Sequence, residues 1–171
     1  MNDPYSGACL AARGRMETPL GPMTALATSR GLAGLVFDED RHHPGPFDHV
    51  PWADGQVHVR AAGDWLEDYW AGRDPDIGRV ALDLCGSAFQ RAVWEVLLRI
   101  SSGRTWTYGQ VAQAVGPHAV PRATGAAIGR NPVAVLVPCH RVIGANGSLT
   151  GYAGGLERKE RLLVHEGVLL A

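Results

Sequence analysis

Apolar positions along this chain fall into short blocks, separated by polar stretches rich in Gly and Pro. Residues 22–29 and 31–39 are two short apolar runs joined by Ser29-Arg30-Gly31, a pattern that predicts a β-hairpin. Over 57–70, Val59, Trp65, Leu66, Tyr69 and Trp70 share one helical face, while Asp64, Glu67 and Asp68 take the other. Ser87 with Gln90 three residues later forms a capping box ahead of Phe89, Val93, Val96, Leu97 and Ile100, which predicts a helix that Gly103 can end. Thr107 and Gln110 repeat that signature for a shorter helix with Val111, Ala112 and Val115 inward, stopped at Gly116-Pro117-His118. Pro121 suits the first position of a third helix, running to Arg130 and built of unusually small residues. Two short helices joined by a tight turn predict a helix-turn-helix, although helix–helix core packing produces the same pattern. Leu156 to Glu166, anchored by Leu156, Leu162 and Leu163, predicts a last helix ended by Gly167.

One stretch fits neither period. From Asn131 to Ile143, five apolar residues, Val133 to Val137, stand between Pro132 and Pro138. The run is too short for a free-standing helix and both prolines break one, so a buried extended segment is expected. It delivers Cys139 beside His140 and Arg141, residue types that lower a thiol pKa. A structural cysteine at a strand end remains the alternative, since a buried Cys behaves as a small hydrophobe. Downstream, glycines at 144, 147, 151, 154 and 155 mark a loop whose backbone can run close against a ligand. Elsewhere, residues 1–15 lack periodicity and are expected to be a mobile tail, and 73–83 to be a linker. Residues 41–55 read as a polar loop, whose His42-His43 pair has no further metal ligands at useful spacing. The expected fold is α+β. A small N-terminal α/β domain with the β-hairpin (1–83) precedes a mainly helical C-terminal domain (84–171) carrying the helix-turn-helix and the cysteine.

Charge sharpens this division. The chain of 171 residues has a formal net charge of -1. Residues 1–85 hold 7 Lys/Arg against 13 Asp/Glu, a net of -6, and residues 86–171 hold 9 against 4, a net of +5. The second half is therefore the candidate for meeting a polyanion. Cys9, Cys85 and Cys139 show no paired spacing, which argues against a disulfide framework or a Cys-x-x-Cys metal site and for a reducing, cytoplasmic setting. No signal peptide or membrane-spanning run is expected.

Set beside its flanking motifs, the cysteine segment resembles the O6-alkylguanine-DNA alkyltransferases. The motifs are Phe89-Gln90, Val93-Trp94, Thr107-Tyr108-Gly109-Gln110, Arg122-Ala123 and Gly129-Arg130-Asn131-Pro132. They continue through Pro138-Cys139-His140-Arg141-Val142, Asn146-Gly147, Gly151-Tyr152, Gly154-Gly155-Leu156 and His165-Glu166-Gly167. The N-terminal half matches more loosely, through 18–22 and 31–35. The resemblance implies direct-reversal repair of duplex DNA carrying O6-alkylguanine, and leaves O4-alkylthymine open as a second substrate. Cys139 would take the alkyl group, once per molecule. His140 would accept the thiol proton through a water, Glu166 would orient His140, and Asn131 would brace the turn before the cysteine. Tyr108 would press the phosphate and donate a hydrogen bond to guanine N3. Arg122 would fill the gap left by the flipped nucleotide, which leaves through the minor groove. Ala123, Gly129 and Arg130 would lie against DNA, and Val142, Tyr152, Ala153 and Gly154 would hold the guanine. No metal or organic cofactor is implied, and the protein is expected to be monomeric, with clustering on DNA a further expectation. Ser87 and Ser102 depart from the family's usual Thr and Pro, outside the chemistry, and Ala153 replaces a Ser found in some relatives. A damage-sensing relative without transfer chemistry lacks the cysteine. A transcription regulator would need longer side chains on the second helix to read base edges.

Overall fold

The computed structural model describes residues 5, 8–40 and 43–170, so the His42 of the His pair lies outside the described residues. Contacts divide the chain into two compact units. One is Met1–Cys85 together with Pro132–Ala134, and the other is Gly86–Asn131 together with Val135–Ala171.

The first unit is built on a three-stranded antiparallel sheet, β1 (Ala12–Met16), β2 (Met23–Ala27) and β3 (Leu32–Phe37), in that order. The hairpin joins β2 to β3, with Met23 opposite Phe37 and Ala25 opposite Leu35. β2 is buried at all five positions because α1 (Val57–Trp70) packs on the sheet. That helix buries Val59, Ala62, Trp65, Leu66 and Tyr69, and Gln56 caps it with its side-chain oxygen on the amides of His58 and Val59.

Two expectations fail here. The segment 1–15 is not a mobile tail throughout: its last four residues form most of β1, which pairs with β2 from Ala12↔Ala27 to Met16↔Met23. Tyr5 is also buried, its ring edge-on to Phe47 and its hydroxyl donating to the Pro132 carbonyl. Gly34 leaves room for that ring, since a Cβ there would sit 2.5 Å from the Tyr5 oxygen. Residues 73–83 are likewise more than a linker. They contain a 3-10 turn (Ile77–Arg79), and Leu82 forms a β-bridge with Leu32. Backbone pairing hid from the sequence because these stretches lack a strand-like alternation.

The second unit is helical around a two-stranded parallel ribbon. Its helices are α2 (Ala88–Leu97), α3 (Tyr108–Val115), α4 (Pro121–Ile128) and α5 (Leu156–His165), and its ribbon pairs β4 (Trp106–Thr107) with β5 (Val142–Ile143). Both capping boxes are formed, Ser87 with Gln90 and Thr107 with Gln110, and Pro121 opens α4. α3 and α4 pack on each other and on α2 as a helix-turn-helix. Trp94 of α2 is 1% exposed and donates its indole N–H to the Ala127 carbonyl of α4, fixing the two helices together. α2 ends at Leu97 rather than at Gly103, through a turn of hydrogen bonds over 94–100. α5 buries Leu162 and Leu163, but Leu156 is exposed at its first position.

The stretch from Asn131 to Ile143 is buried as expected and not extended as expected. Pro132 and Ala134 exchange backbone hydrogen bonds with Leu35 in the first unit. The chain then folds through turns, in which Val135 takes φ +70 while fully buried. Positive φ at a β-branched residue is a true outlier, maintained here by packing. Pro138 then opens a 3-10 turn, Cys139–Arg141.

Candidate active site

Local geometry at the cysteine follows from the proline. Pro138 cannot donate a hydrogen bond, and its φ of -83 starts the 3-10 turn, closed by Arg141 N–H to the Pro138 carbonyl at 3.0 Å. With three residues per turn, Cys139, His140 and Arg141 project in three directions rather than to the two faces of a strand. All three are buried, His140 completely.

Each then meets a different partner. Asn131, just after α4, donates its side-chain N–H to the Val137 carbonyl at 2.8 Å and to Cys139 Sγ at 3.1 Å. One residue thus braces the turn and touches the sulfur. His140 Nε2 lies 2.7 Å from Glu166 Oε1, at the C-terminal cap of α5, where Gly167 at φ +72 ends the helix. Arg141 closes the other side of that carboxylate with two bonds of 2.9 Å and donates a third to the Ile100 carbonyl.

Burial sets the charge states. It pushes the Cys139 thiol up, against the pull of the Asn131 hydrogen bond, the Lys159 charge and the amides of Cys139 and His140. It pushes His140 down, more than Glu166 raises it. It would raise Glu166 too, but the hydrogen bonds and charges of His140 and Arg141 bring that carboxyl down to about 2. The resting site therefore holds a neutral thiol, a neutral imidazole and an ionised carboxylate. An ionised Glu166 takes the Nε2–H, which leaves His140 Nδ1 as an acceptor; that atom has no hydrogen-bond partner among the described residues.

The other predicted residues surround this centre. The Tyr108 hydroxyl donates to the Thr150 carbonyl at 2.8 Å. Val142 is buried on β5, Tyr152 and Gly154 are half-buried, and Ala153 is exposed. Arg158 donates to the Gly154 carbonyl. Arg122, Ala123, Ala126, Gly129 and Arg130 are exposed on and just after α4, while Thr124, Ala127 and Ile128 turn inward. Sequence reasoning missed Lys159, a wholly buried lysine on α5 that reads as one more surface charge, and it assigned no contact to Arg141.

Residues 88–168 match the 6-O-methylguanine DNA methyltransferase, DNA binding domain family, a span containing every residue of this site. A methylated-DNA–protein-cysteine methyltransferase of Mycobacterium leprae is 41% identical over 86% of this chain and 87% of its own length. The chain belongs to the methylated-DNA–protein-cysteine methyltransferase family. A member from Salmonella typhimurium is 40% identical over 91% of this chain and 95% of its own. Among solved structures, Mycobacterium tuberculosis OGT in complex with DNA superposes at a TM-score of 0.82, with 40% identity over 92% of this chain and 93% of that one.

Proposed function

We propose that this protein repairs DNA by direct reversal, moving the alkyl group of an O6-alkylguanine onto Cys139 in a single irreversible turnover. The observation that carries the reading is the line of contacts Asn131–Cys139 and His140–Glu166 around a buried thiol. Alkyl transfer to sulfur needs the thiolate, which is scarce in a buried thiol. His140 Nδ1 takes the thiol proton through a water, and Glu166 holds the imidazolium that forms. The sulfur then attacks the alkyl carbon as the carbon–O6 bond breaks, and guanine leaves with the bonding electrons. Asn131 keeps the sulfur in place. Tyr108 exchanges its Thr150 contact for guanine N3, where negative charge develops.

A stacked base is out of reach, so the nucleotide flips, at a cost of a few kcal/mol. The exposed face of α4, with small Ala123, Ala126 and Gly129 between Arg122 and Arg130, lies in the minor groove. Arg122 takes the vacated place, and Val142, Tyr152, Ala153 and Gly154 line the guanine. The product is a thioether, which water does not cleave, so the reaction is stoichiometric and asks for no cofactor. The reading takes the protein to be a cytoplasmic monomer that gathers along DNA; among the described residues no helix is long and apolar enough to cross a membrane.

Intact-protein mass spectrometry after incubation with a duplex carrying O6-methylguanine tests this, followed by peptide mapping. We expect one methyl group per molecule, on the Cys139 peptide, and none in Cys139→Ala, which still binds DNA. Binding of the modified duplex without methyl uptake by the unaltered protein would make it a damage sensor instead.

A further inference from the structure

Pro132 directly follows Asn131, whose side chain touches the Cys139 sulfur at 3.1 Å. The proline ring fixes φ, and a residue ahead of a proline is confined to extended ψ. The main freedom left between the Asn131 Cα and Val133 is therefore the ψ of Pro132. Its carbonyl turns with that torsion, so a group that holds the carbonyl holds the direction in which the chain leaves Asn131.

Two donors hold it. The Leu35 amide of β3 reaches the carbonyl at 2.9 Å, and the Tyr5 hydroxyl reaches it at 3.2 Å from 127 residues away in the chain. Any non-proline residue supplies such an amide, whereas the hydroxyl is specific to this side chain. Tyr5 is 3% exposed, and a buried phenol is stabilising only where its O–H has a partner; a position needing bulk alone is served by Phe. The ring is closely seated as well. It stands edge-on to Phe47 at 5.6 Å between centroids, in a cluster with Leu26 and Val50, and a Cβ at residue 34 would lie 2.5 Å from its oxygen. Its own carbonyl accepts the Ala8 N–H at 2.8 Å, which fixes the backbone behind the ring.

On the other side of Pro132, Asn131 divides its side-chain amide between the Val137 carbonyl at 2.8 Å and the sulfur. A thiol sulfur accepts weakly, so a small swing of Asn131 breaks that bond before the one to the carbonyl. The segment between them includes Val135 at φ +70, a shape it does not keep by its own preference, and so it needs fixed ends.

We infer that Tyr5 is a positioning residue for the alkyl transfer: by holding the Pro132 carbonyl, its hydroxyl sets the approach of the Asn131 amide to the Cys139 sulfur. The inference rests on Cys139 as the acceptor. It separates the ring, which packs, from the hydroxyl, which aims. The Asn131 bond is among the contacts that favour the thiolate over the buried thiol. Loss of aim therefore lowers the thiolate share without removing any group that meets the alkyl carbon.

The test is Tyr5→Phe, which keeps the ring against Phe47 and Gly34 and removes the hydroxyl. Methyl uptake from a duplex carrying O6-methylguanine is measured beside the pH profile of Cys139 carboxamidomethylation by iodoacetamide. Cys9→Ser and Cys85→Ser form the background, so that one thiol reports. Methyl uptake at pH 7 is expected to slow about fivefold, the order of one neutral hydrogen bond, and the thiol midpoint to move up. In an Asn131→Ala background the same change should alter neither readout, because the group it aims is gone. Equal slowing in the two backgrounds, or an unmoved midpoint in Tyr5→Phe, would reduce Tyr5 to a packing residue. Val50→Ala thins the same cluster and leaves the hydroxyl in place. It should lower the melting temperature without moving the midpoint, and a shift matching that of Tyr5→Phe would overturn the inference. A further measurement needs no Asn131 variant: the nitrogen-edited NMR signal of the Asn131 side-chain amide should shift and exchange faster with water in Tyr5→Phe. An unchanged signal would overturn the link. Failure of the functional reading looks different, since the unaltered protein would then take up no methyl group at all.

Discussion

At the scale of single residues, the site places groups of opposite protonation preference side by side where all are buried. Burial disfavours every charge there, so a charge survives only where a partner stands against it. Glu166 is the clearest case, with His140 and Arg141 holding it to about 2 against 4.5 for a free glutamate. A carboxyl with a depressed folded-state pKa adds stability that is complete above its unfolded value and is lost as the pH falls through the folded one. We therefore expect Glu166 to contribute a loss of stability between about pH 4.5 and 2. In Glu166→Gln, urea midpoints across that window should fall less steeply, from a lower starting stability, and methyl transfer at neutral pH should slow at least tenfold. Equal slopes in the two proteins would show that Glu166 is not held ionised by its neighbours.

At the scale of elements, α4 is a short helix with two unlike sides. Thr124, Ala127 and Ile128 pack inward, and the Ala127 carbonyl receives the Trp94 indole. The opposite side carries Ala123, Ala126 and Gly129, whose short side chains allow close approach to a groove. A larger side chain on that side meets only solvent in the free protein. Ala126→Leu should thus leave stability within about 0.5 kcal/mol, as exposed substitutions generally do. Repair of a modified duplex should nevertheless drop at least tenfold, while carboxamidomethylation of Cys139 by iodoacetamide is unchanged. Comparable loss in both reactions would remove α4 from the DNA surface.

At the scale of the whole molecule, neither unit is a single run of chain. The acidic N-terminal unit includes Pro132–Ala134, which bond to both sides of Leu35 and to the Tyr5 hydroxyl. A fragment of residues 1–85 leaves the Leu35 amide, its carbonyl and the buried Tyr5 hydroxyl without these partners. Unmatched buried groups cost about 1–3 kcal/mol each, enough to remove much of the stability of so small a domain. We expect the fragment to melt below the corresponding unit of the full chain, with faster amide exchange at Leu35. A fragment as stable as the full chain would show these bonds to be dispensable.

What the sequence determined by itself was whatever is encoded over a few neighbouring residues. Capping boxes act across three positions, helical faces repeat every three or four, and the hairpin needs only two runs and a turn, so Ser87, Thr107, α1 and the β2–β3 pair were legible. The Pro-Cys-His-Arg run and its flanking motifs likewise pointed to Cys139, His140 and Glu166 as members of one centre. Only the tertiary structure decided what depends on contacts between distant residues. β1 was hidden because its pairing with β2 outweighs its weak pattern, and the cysteine segment turned because Leu35 and Asn131 hold it in a shape its composition does not favour. Lys159 was invisible for the same reason. A lysine's charge is local, but whether it faces water or the interior is set by the carbonyls of Val142 and Thr150 that fold around it.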